Sequence, residues 1–309
     1  MAQLQSKQTL AGLVAMLATL LIWSSFFLSL RASGNSMLTV GDMALLRFLP
    51  AALFFGAISW PKAKQIAATP KRYLLAIACG AGLPFMLLAA SGLRLAPVAD
   101  GASLIPGILP LFVSSIAVFC YREKISDARK IGIGLIVVGI GLFVANSLLR
   151  GQLQIAQGHA LLLAASFSWA WFTIAMRVSG LNPACSGAVL AGSACLLLAV
   201  CGLTGWLEFN LLSAPAAEVF THFLIQGIVV GILSNYCYGF AISRLGAEMS
   251  AALGSFTPVL AALLAVPLFG ETISTSAALA MGCIVCGALA ASELIQRKQA
   301  PMTTTALPR

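Results

Sequence analysis

The sequence predicts an all-α integral membrane protein in which ten transmembrane helices form two inverted five-helix repeats around a central cavity. Three observations carry that prediction. Sixty percent of the residues are hydrophobic and only 9% are charged, against about 25% charged in an average soluble domain, and the mean hydropathy is +0.98. Ten apolar runs have roughly the 20-residue length a spanning helix needs. The third is an internal repeat whose copies differ in their charged flanks: Pro110, Glu123, Ile125 and Ser126 recur as Pro258, Glu271, Ile273 and Ser274, all at an offset of 148.

The spans run 10–30, 41–60, 74–93, 98–119, 131–147, 158–177, 186–206, 222–243, 247–269 and 276–294. The gaps between them are short and leave no room for a soluble domain. The repeat extends to both ends of each half. Gly12, Trp23, Phe26, Arg31, Ser33 and Gly34 recur as Gly158, Trp169, Phe172, Arg177, Ser179 and Gly180 at an offset of 146. Gly134, Ile136, Val137 and Gly139 recur as Gly282, Ile284, Val285 and Gly287. Each half therefore holds five spans, over 10–147 and 155–295, with a polar, disordered tail at 296–309. Five is odd, so the second half enters the bilayer upside down, which predicts a pseudo-two-fold axis in the membrane plane and a site at mid-depth.

With the N-terminus in the cytoplasm, the cytoplasmic side receives fourteen Lys and Arg and the outer side three: Arg31, Arg94 and Arg150. This bias places both termini inside. The first copy of the repeated linker carries Arg122, Lys124, Arg129 and Lys130; the second has Gly270, Thr272, Ala277 and Ala278 in their places. The net charge of +9 is spread over short hydrophilic gaps without interleaved aromatics, which excludes a nucleic-acid interface. The N-terminal run is too long for the core of a signal peptide and lacks a cleavage site. Eight cysteines lie mostly inside apolar runs, and the Cys283–Cys286 pair reads as packing rather than as a metal or redox motif. There is no phosphate-binding loop, and no cofactor is implied. No acid and histidine set stands at catalytic spacing within one span.

Several polar or aromatic residues fall where lipid makes them costly. Arg47 is the one formal charge inside a span, and it is either a cavity cation for an anionic group or a structural tie to carbonyls or Asp42. Trp23 and Trp169 are repeat mates; Trp169 lies about 16 Å from its span's outer end, although Trp favours the interface. They face either a cavity or another helix, and Trp171, about 200° around from Trp169, is the weaker candidate. Asn235, Tyr236 and Tyr238 lie deep in the eighth span, with Asn235 and Tyr238 the candidate polar contacts. Ser24, Ser25 and Ser91 are satisfied through their own backbone. Pro106 and Pro110 match Gly254 and Pro258, so helix breaks are expected at equal depth in the fourth and ninth spans, either gating or static. Gly227 and Gly231, with the seven-residue pairs Gly132/Gly139 and Gly134/Gly141, read as close helix packing, with dimerisation left open. Glu123 and Glu271 read as caps or interfacial partners. Asp42, Asp100 and Glu271 lie near outer ends and Glu248 near the inner face. None is a mid-membrane proton carrier, so exchange, facilitated diffusion and proton antiport stay equally open.

Trp23-Ser24-Ser25-Phe26, Leu46-Arg47-Phe48 and the paired Pro-to-Glu-x-x-Ser segments together resemble the ten-helix, EamA-type branch of the drug/metabolite transporter superfamily. The resemblance covers about 10–295. Within it, Gly254-Ser255-Phe256-Thr257-Pro258-Val259-Leu260 is similar to aromatic amino-acid exporters. The resemblance implies a bacterial inner-membrane carrier that exports small metabolites such as amino acids by alternating access; it is expected to work as a monomer, with a dimer left open. Multidrug or sugar-phosphate carriage is the alternative it leaves, and an intramembrane enzyme or sensor the remote one.

Overall fold

The structure is a computed structural model that describes residues 2–34, 36–245 and 247–291. The side chains of 2–7, 235, 242–243, 247–248 and 251–252 lie outside the described residues, and so does the expected disordered tail at 296–309. Every regular element among the described residues is a helix. Eight helical segments are long and apolar enough to cross a membrane: Gln8–Ser33, Val40–Ala68, Lys71–Leu95, Val98–Tyr121, Asp127–Leu149, Leu153–Ser179, Pro183–Leu203 and Ala216–Ala241. Two shorter apolar helices, Thr257–Phe269 and Thr275–Ala291, complete ten.

Long continuous helices form the first, second, fifth, sixth and seventh spans: α1 (Ala2–Ser33), α2 (Val40–Ser59), α8 (Asp127–Leu149), α9 (Leu153–Ser179) and α10 (Pro183–Leu203). A short α3 (Ala63–Ala68) follows α2. The remaining spans are built from pieces. The third joins α4 (Lys71–Gly80) to α5 (Leu83–Leu95). The fourth joins α6 (Val98–Ala102), a π-helical turn over Ser103–Gly107 and α7 (Leu109–Tyr121). The eighth runs from α11 (Ala216–His222) through a π-helical stretch, Phe223–Leu233, into α12 (Ser234–Leu245). The ninth joins α13 (Ala247–Gly254) to α14 (Thr257–Phe269), and α15 (Thr275–Ala291) is the tenth.

The helix breaks follow the repeat residue by residue. The fourth span interrupts at Gly107–Ile108, with Pro110 in the first turn of α7. The ninth interrupts at Ser255–Phe256, with Pro258 in the first turn of α14. Proline is tolerated there because the first turn's N–H groups have no partner within the helix. Ser126 and Ser274 cap the fifth and tenth spans in the same way, each hydroxyl accepting a backbone N–H three residues on, at Arg129 and Ala277. α7 and α14 both end in a left-handed residue. In the second copy it is Gly270 at φ 65°, but in the first it is Arg122 at φ 55°.

Packing between spans is reciprocal. α1 lies against the eighth span, and its repeat mate α9 lies against the third. α2 pairs with α10, α8 with α15, and the fourth span with the ninth, each pair being repeat mates of one another. That exchange of partners is what an axis relating two inverted halves produces. The α8–α15 contact is very close. A Cβ on Gly132 would sit 2.4 Å from the Ala291 nitrogen, and one on Gly287 2.6 Å from the Gly132 carbonyl. Gly134 and Gly141 have no such neighbour, so the glycine repeat packs inside the chain on one side only. Gly227 and Gly231 likewise face the carbonyls of Leu46 and Arg47.

Candidate functional site

At the centre of the bundle, five rings from four spans follow one another and end on a cation. Tyr238 of α12 lies 4.9 Å from Trp23 of α1, ring to ring, at 56°. Trp23 meets Trp169 of α9 edge to face at 5.3 Å. Trp169 meets Phe85 of α5 at 5.6 Å, and Phe85 stacks on Phe26 of α1 at 6.3 Å. The guanidinium of Arg47, from α2, lies 4.6 Å over the Phe26 ring and 5.5 Å from that of Phe48. Each such ring pair contributes about 0.5–1.5 kcal/mol beyond its buried area. The Trp23 indole N–H donates to Ser234 Oγ at 3.2 Å.

Trp23, Trp169, Tyr238 and Arg47 are therefore brought together, although they lie on four different helices. The side chain of Asn235 lies outside the described residues, as does that of Glu248. Tyr236 stands apart, packed on Phe54 and Phe55 at 6.1 Å each. Trp171 also points away from the arc, against Phe167. Phe85 and Ser234 are members that sequence reasoning missed; Phe26 carried a signal, since it recurs in the repeat as Phe172.

Arg47 is not tied to Asp42. Asp42 closes a capping box with Thr39 at the start of α2 and accepts the Asn210 backbone N–H at 3.0 Å. What Arg47 has is two ring faces and a weak sulfur acceptor, Met86 Sδ, at 4.0 Å. Cation–π contact is worth about 2 kcal/mol when desolvated. Placing Arg near a helix centre costs about 2.5–3.5 kcal/mol. The residual deficit is one that an anionic group would relieve.

The break of the ninth span adjoins this arc, and the break of the fourth span adjoins that of the ninth. A Cβ on Gly254 would meet the Trp23 ring at 3.1 Å, and one on Gly107 would stand 3.5 Å from Pro258. Pro106 is buried within the π-helical turn. The carbonyls at the breaks are occupied from within the protein: Ser166 Oγ donates to Ile105 O at 2.8 Å and Thr257 Oγ1 to Gly254 O at 2.6 Å. Ser24 and Ser25 bond back to Leu20 and Ile22 carbonyls, as expected.

Each end of the bundle carries an arginine–glutamate pair, and the two pairs are related by the repeat. At one end Arg31 Nε, on α1, lies 3.1 Å from Glu271 Oε1 in the linker before α15. At the other, Arg177 Nη2, on α9, lies 2.6 Å from Glu123 Oε1 in the linker before α8. Arg31 and Arg177 are repeat mates, as are Glu123 and Glu271, and each pair joins one half to the other. The Arg31 pair is the more buried, with side chains 34% and 13% exposed against 49% and 38%. Glu271 also accepts the Val98 N–H at 3.0 Å, capping the fourth span. Burial pushes its carboxyl above the usual carboxylate range and nearby Asp100 adds to this, while the Val98 N–H and Arg31 oppose it. A cavity of about 260 Å³ opens at the Arg177 end between α4, α7 and α9, lined by Arg72, Tyr73, Tyr121 and Trp171 among others.

The Arg31 end also holds a pair that the sequence did not disclose. His159 Nε2, on α9, lies 2.8 Å from Asp100 Oδ2, on α6. A second buried histidine, His222, has its Nδ1 2.8 Å from Ser29 Oγ.

A model of the EamA-like transporter family matches residues 10–145 and, a second time, 156–292. Escherichia coli strain K12 has a protein named "Uncharacterized inner membrane transporter YedA" that is 26% identical over 286 residues, covering 90% of this chain and 90% of that protein. Proteins of the same name from the O6:H1 and O157:H7 strains match equally. A solved crystal structure aligns with a TM-score of 0.59 over 96% of this chain and 99% of its own, at 22% identity, and shares the fold.

Proposed function

We propose, starting from the premise that this chain belongs to the EamA-like transporter family, that it exports small amphipathic metabolites, foremost aromatic amino acids, by alternating access. The observation that carries this reading is the arc of rings from Tyr238 to Phe26 closing on the guanidinium of Arg47. A ring offered by a substrate stacks on Trp23 and Trp169, and a carboxylate at the other end of the same molecule meets Arg47. Tyr238 supplies a polar contact. The halves 10–147 and 155–295 rock against each other, with the breaks at Pro106–Pro110 and Gly254–Pro258 as hinges beside the site. The two arginine–glutamate pairs are the gates, one at each end, to be broken in turn.

The Arg177 end, rich in Lys and Arg, faces the cytoplasm, so both termini are cytoplasmic. The membrane is the bacterial inner membrane, as the name of the Escherichia coli relatives says of them. The protein works as a monomer on a small-molecule substrate in the bilayer, without cofactor, catalysis or nucleic acid. A sugar-phosphate substrate fits less well, because a phosphate calls for more than the single cation of the arc.

The test is uptake of radiolabelled tryptophan, phenylalanine and tyrosine into everted vesicles, with and without a pH gradient. Accumulation above protein-free vesicles, lost in the Trp23→Ala/Trp169→Ala double variant, is expected. No accumulation of any amino acid rejects the substrate class, and transport unchanged in the double variant rejects the site.

A further inference from the structure

Four ionisable groups meet at the Arg31 end, contributed by four separate parts of the chain. Arg31 comes from α1, Glu271 from the linker before α15, Asp100 from α6 and His159 from α9. Arg94 and Arg150 belong to the same end but are exposed. His159 is 1% exposed, its Nε2 is held by Asp100 at 2.8 Å, and the edge of Phe143 packs on the ring at 5.8 Å. Its Nδ1 is buried without a hydrogen-bond partner among the described residues. With the imidazole neutral and both acids ionised, one arginine faces two carboxylates, so the cluster carries one excess negative charge. One proton added to the imidazole, at the free Nδ1 lone pair, brings the cluster to neutrality. A metal is not the better ligand, because no group of three or more His, Cys, Asp or Glu is placed to hold one among the described residues.

We propose that Asp100, His159 and Glu271 form a proton-binding site whose occupancy is set by the Arg31–Glu271 pair. The proposal rests on the alternating-access reading, in which that pair is the outer gate. Opening the gate withdraws the Arg31 charge from Glu271 and leaves the two carboxylates facing each other, which strengthens the hold on a proton. Closing it returns Arg31 and weakens that hold. Proton uptake from the outside therefore accompanies outward opening. Burial, and after it Asp100, raises the Glu271 carboxyl, against the opposing pull of the Val98 N–H and Arg31. The same helices carry the signal inward. Trp23 is eight residues from Arg31 on α1, and Trp169 is ten from His159 on α9, or roughly 12 and 15 Å along the axes.

The chain has only two histidines, so histidine-labelled full-length protein in detergent gives two ring signals by nuclear magnetic resonance. His222→Asn identifies the signal of His159. Its proton affinity falls about tenfold in Glu271→Gln and rises about tenfold in Arg31→Gln, as loss of a nearby carboxylate or cation dictates. A His159 signal that does not respond to pH, or one that responds alike in all three proteins, overturns the proposal. Because this arm uses only protons, it stands even if no amino acid is transported, a failure that would sink the substrate reading alone. In proteoliposomes, tryptophan counterflow in the wild type depends on the pH at the Arg31 face, and in Asp100→Asn that dependence is lost. Counterflow independent of that pH in the wild type likewise overturns it.

Discussion

Replacing Arg47 by Met separates a substrate partner from a structural tie, because the two roles move stability and affinity in opposite directions. The guanidinium sits 4.6 Å over Phe26 and 5.5 Å from Phe48, with Met86 Sδ as its one acceptor among the described residues. Removing it forfeits about 2 kcal/mol of desolvated cation–π attraction and relieves about 2.5–3.5 kcal/mol of insertion cost. Arg47→Met is therefore as stable as the wild type, or more stable by about 1 kcal/mol. A hydrogen bond to a charged group is worth about 1.5–3 kcal/mol, so tryptophan affinity falls roughly 10- to 150-fold. Tryptamine, which keeps the ring but lacks the carboxylate, binds the variant no more weakly than it binds the wild type. Thermal unfolding in detergent gives the stability, and titration calorimetry with the two ligands gives the affinities. A variant destabilised by more than about 2 kcal/mol that binds tryptophan as before would refute the carboxylate role and make Arg47 a structural residue.

The remaining predictions concern the frame and the gates. Gly287→Leu loses more than about 2 kcal/mol, because even a Cβ would lie 2.6 Å from the Gly132 carbonyl, whereas Gly134→Ala, with nothing within 4 Å, gains about 0.5–1 kcal/mol; thermal shift of the two variants checks both. Arg122→Gly is more stable by about 1–2 kcal/mol, since it gives the left-handed position at φ 55° the residue its repeat mate already has. Glu123→Gln, at the more exposed gate, changes stability by less than about 1 kcal/mol. It nevertheless raises the reactivity of a thiol introduced by Ala175→Cys, a position that lines the cavity of the Arg177 end. The Glu271 carboxyl is held above its ordinary range, so the fold favours its neutral form. That contribution is present below the ordinary carboxylate range and is lost as pH rises through the raised value. The melting temperature of the wild type, relative to Glu271→Gln, accordingly falls as pH is raised across that window.

What the sequence disclosed and what it hid divide along a physical line. Repeat positions were legible because the same local chemistry recurs: the breaks at Gly107–Ile108 and Ser255–Phe256, the Ser126 and Ser274 caps and the two glutamates all stand at one offset. Apolar runs located the spans, with small errors where a cap decides the start. The fifth helix begins at Asp127 rather than 131 because Ser126 caps it. The gathering of Trp23, Trp169, Tyr238 and Arg47 could be anticipated because each is costly in lipid. Phe85 could not be, since a phenylalanine in an apolar run carries no such cost. The Asp100–His159 pair was invisible for a different reason: its members are 59 residues apart on separate helices. A search within single spans cannot find a contact that only tertiary packing creates. The same limit hid the union of Arg31 with Glu271, although the repeat had marked both residues.

The proposed transport cycle requires two antiparallel halves whose gates lie on opposite faces of the membrane. Single cysteines introduced by Ile125→Cys and Ile273→Cys in a cysteine-free background, probed with a membrane-impermeant maleimide in intact cells and in everted vesicles, measure this directly. The position at 273 is expected to react only in intact cells and the position at 125 only in everted vesicles. Reaction of both from the same face would contradict the inverted arrangement, and with it the shared aromatic site and both gates.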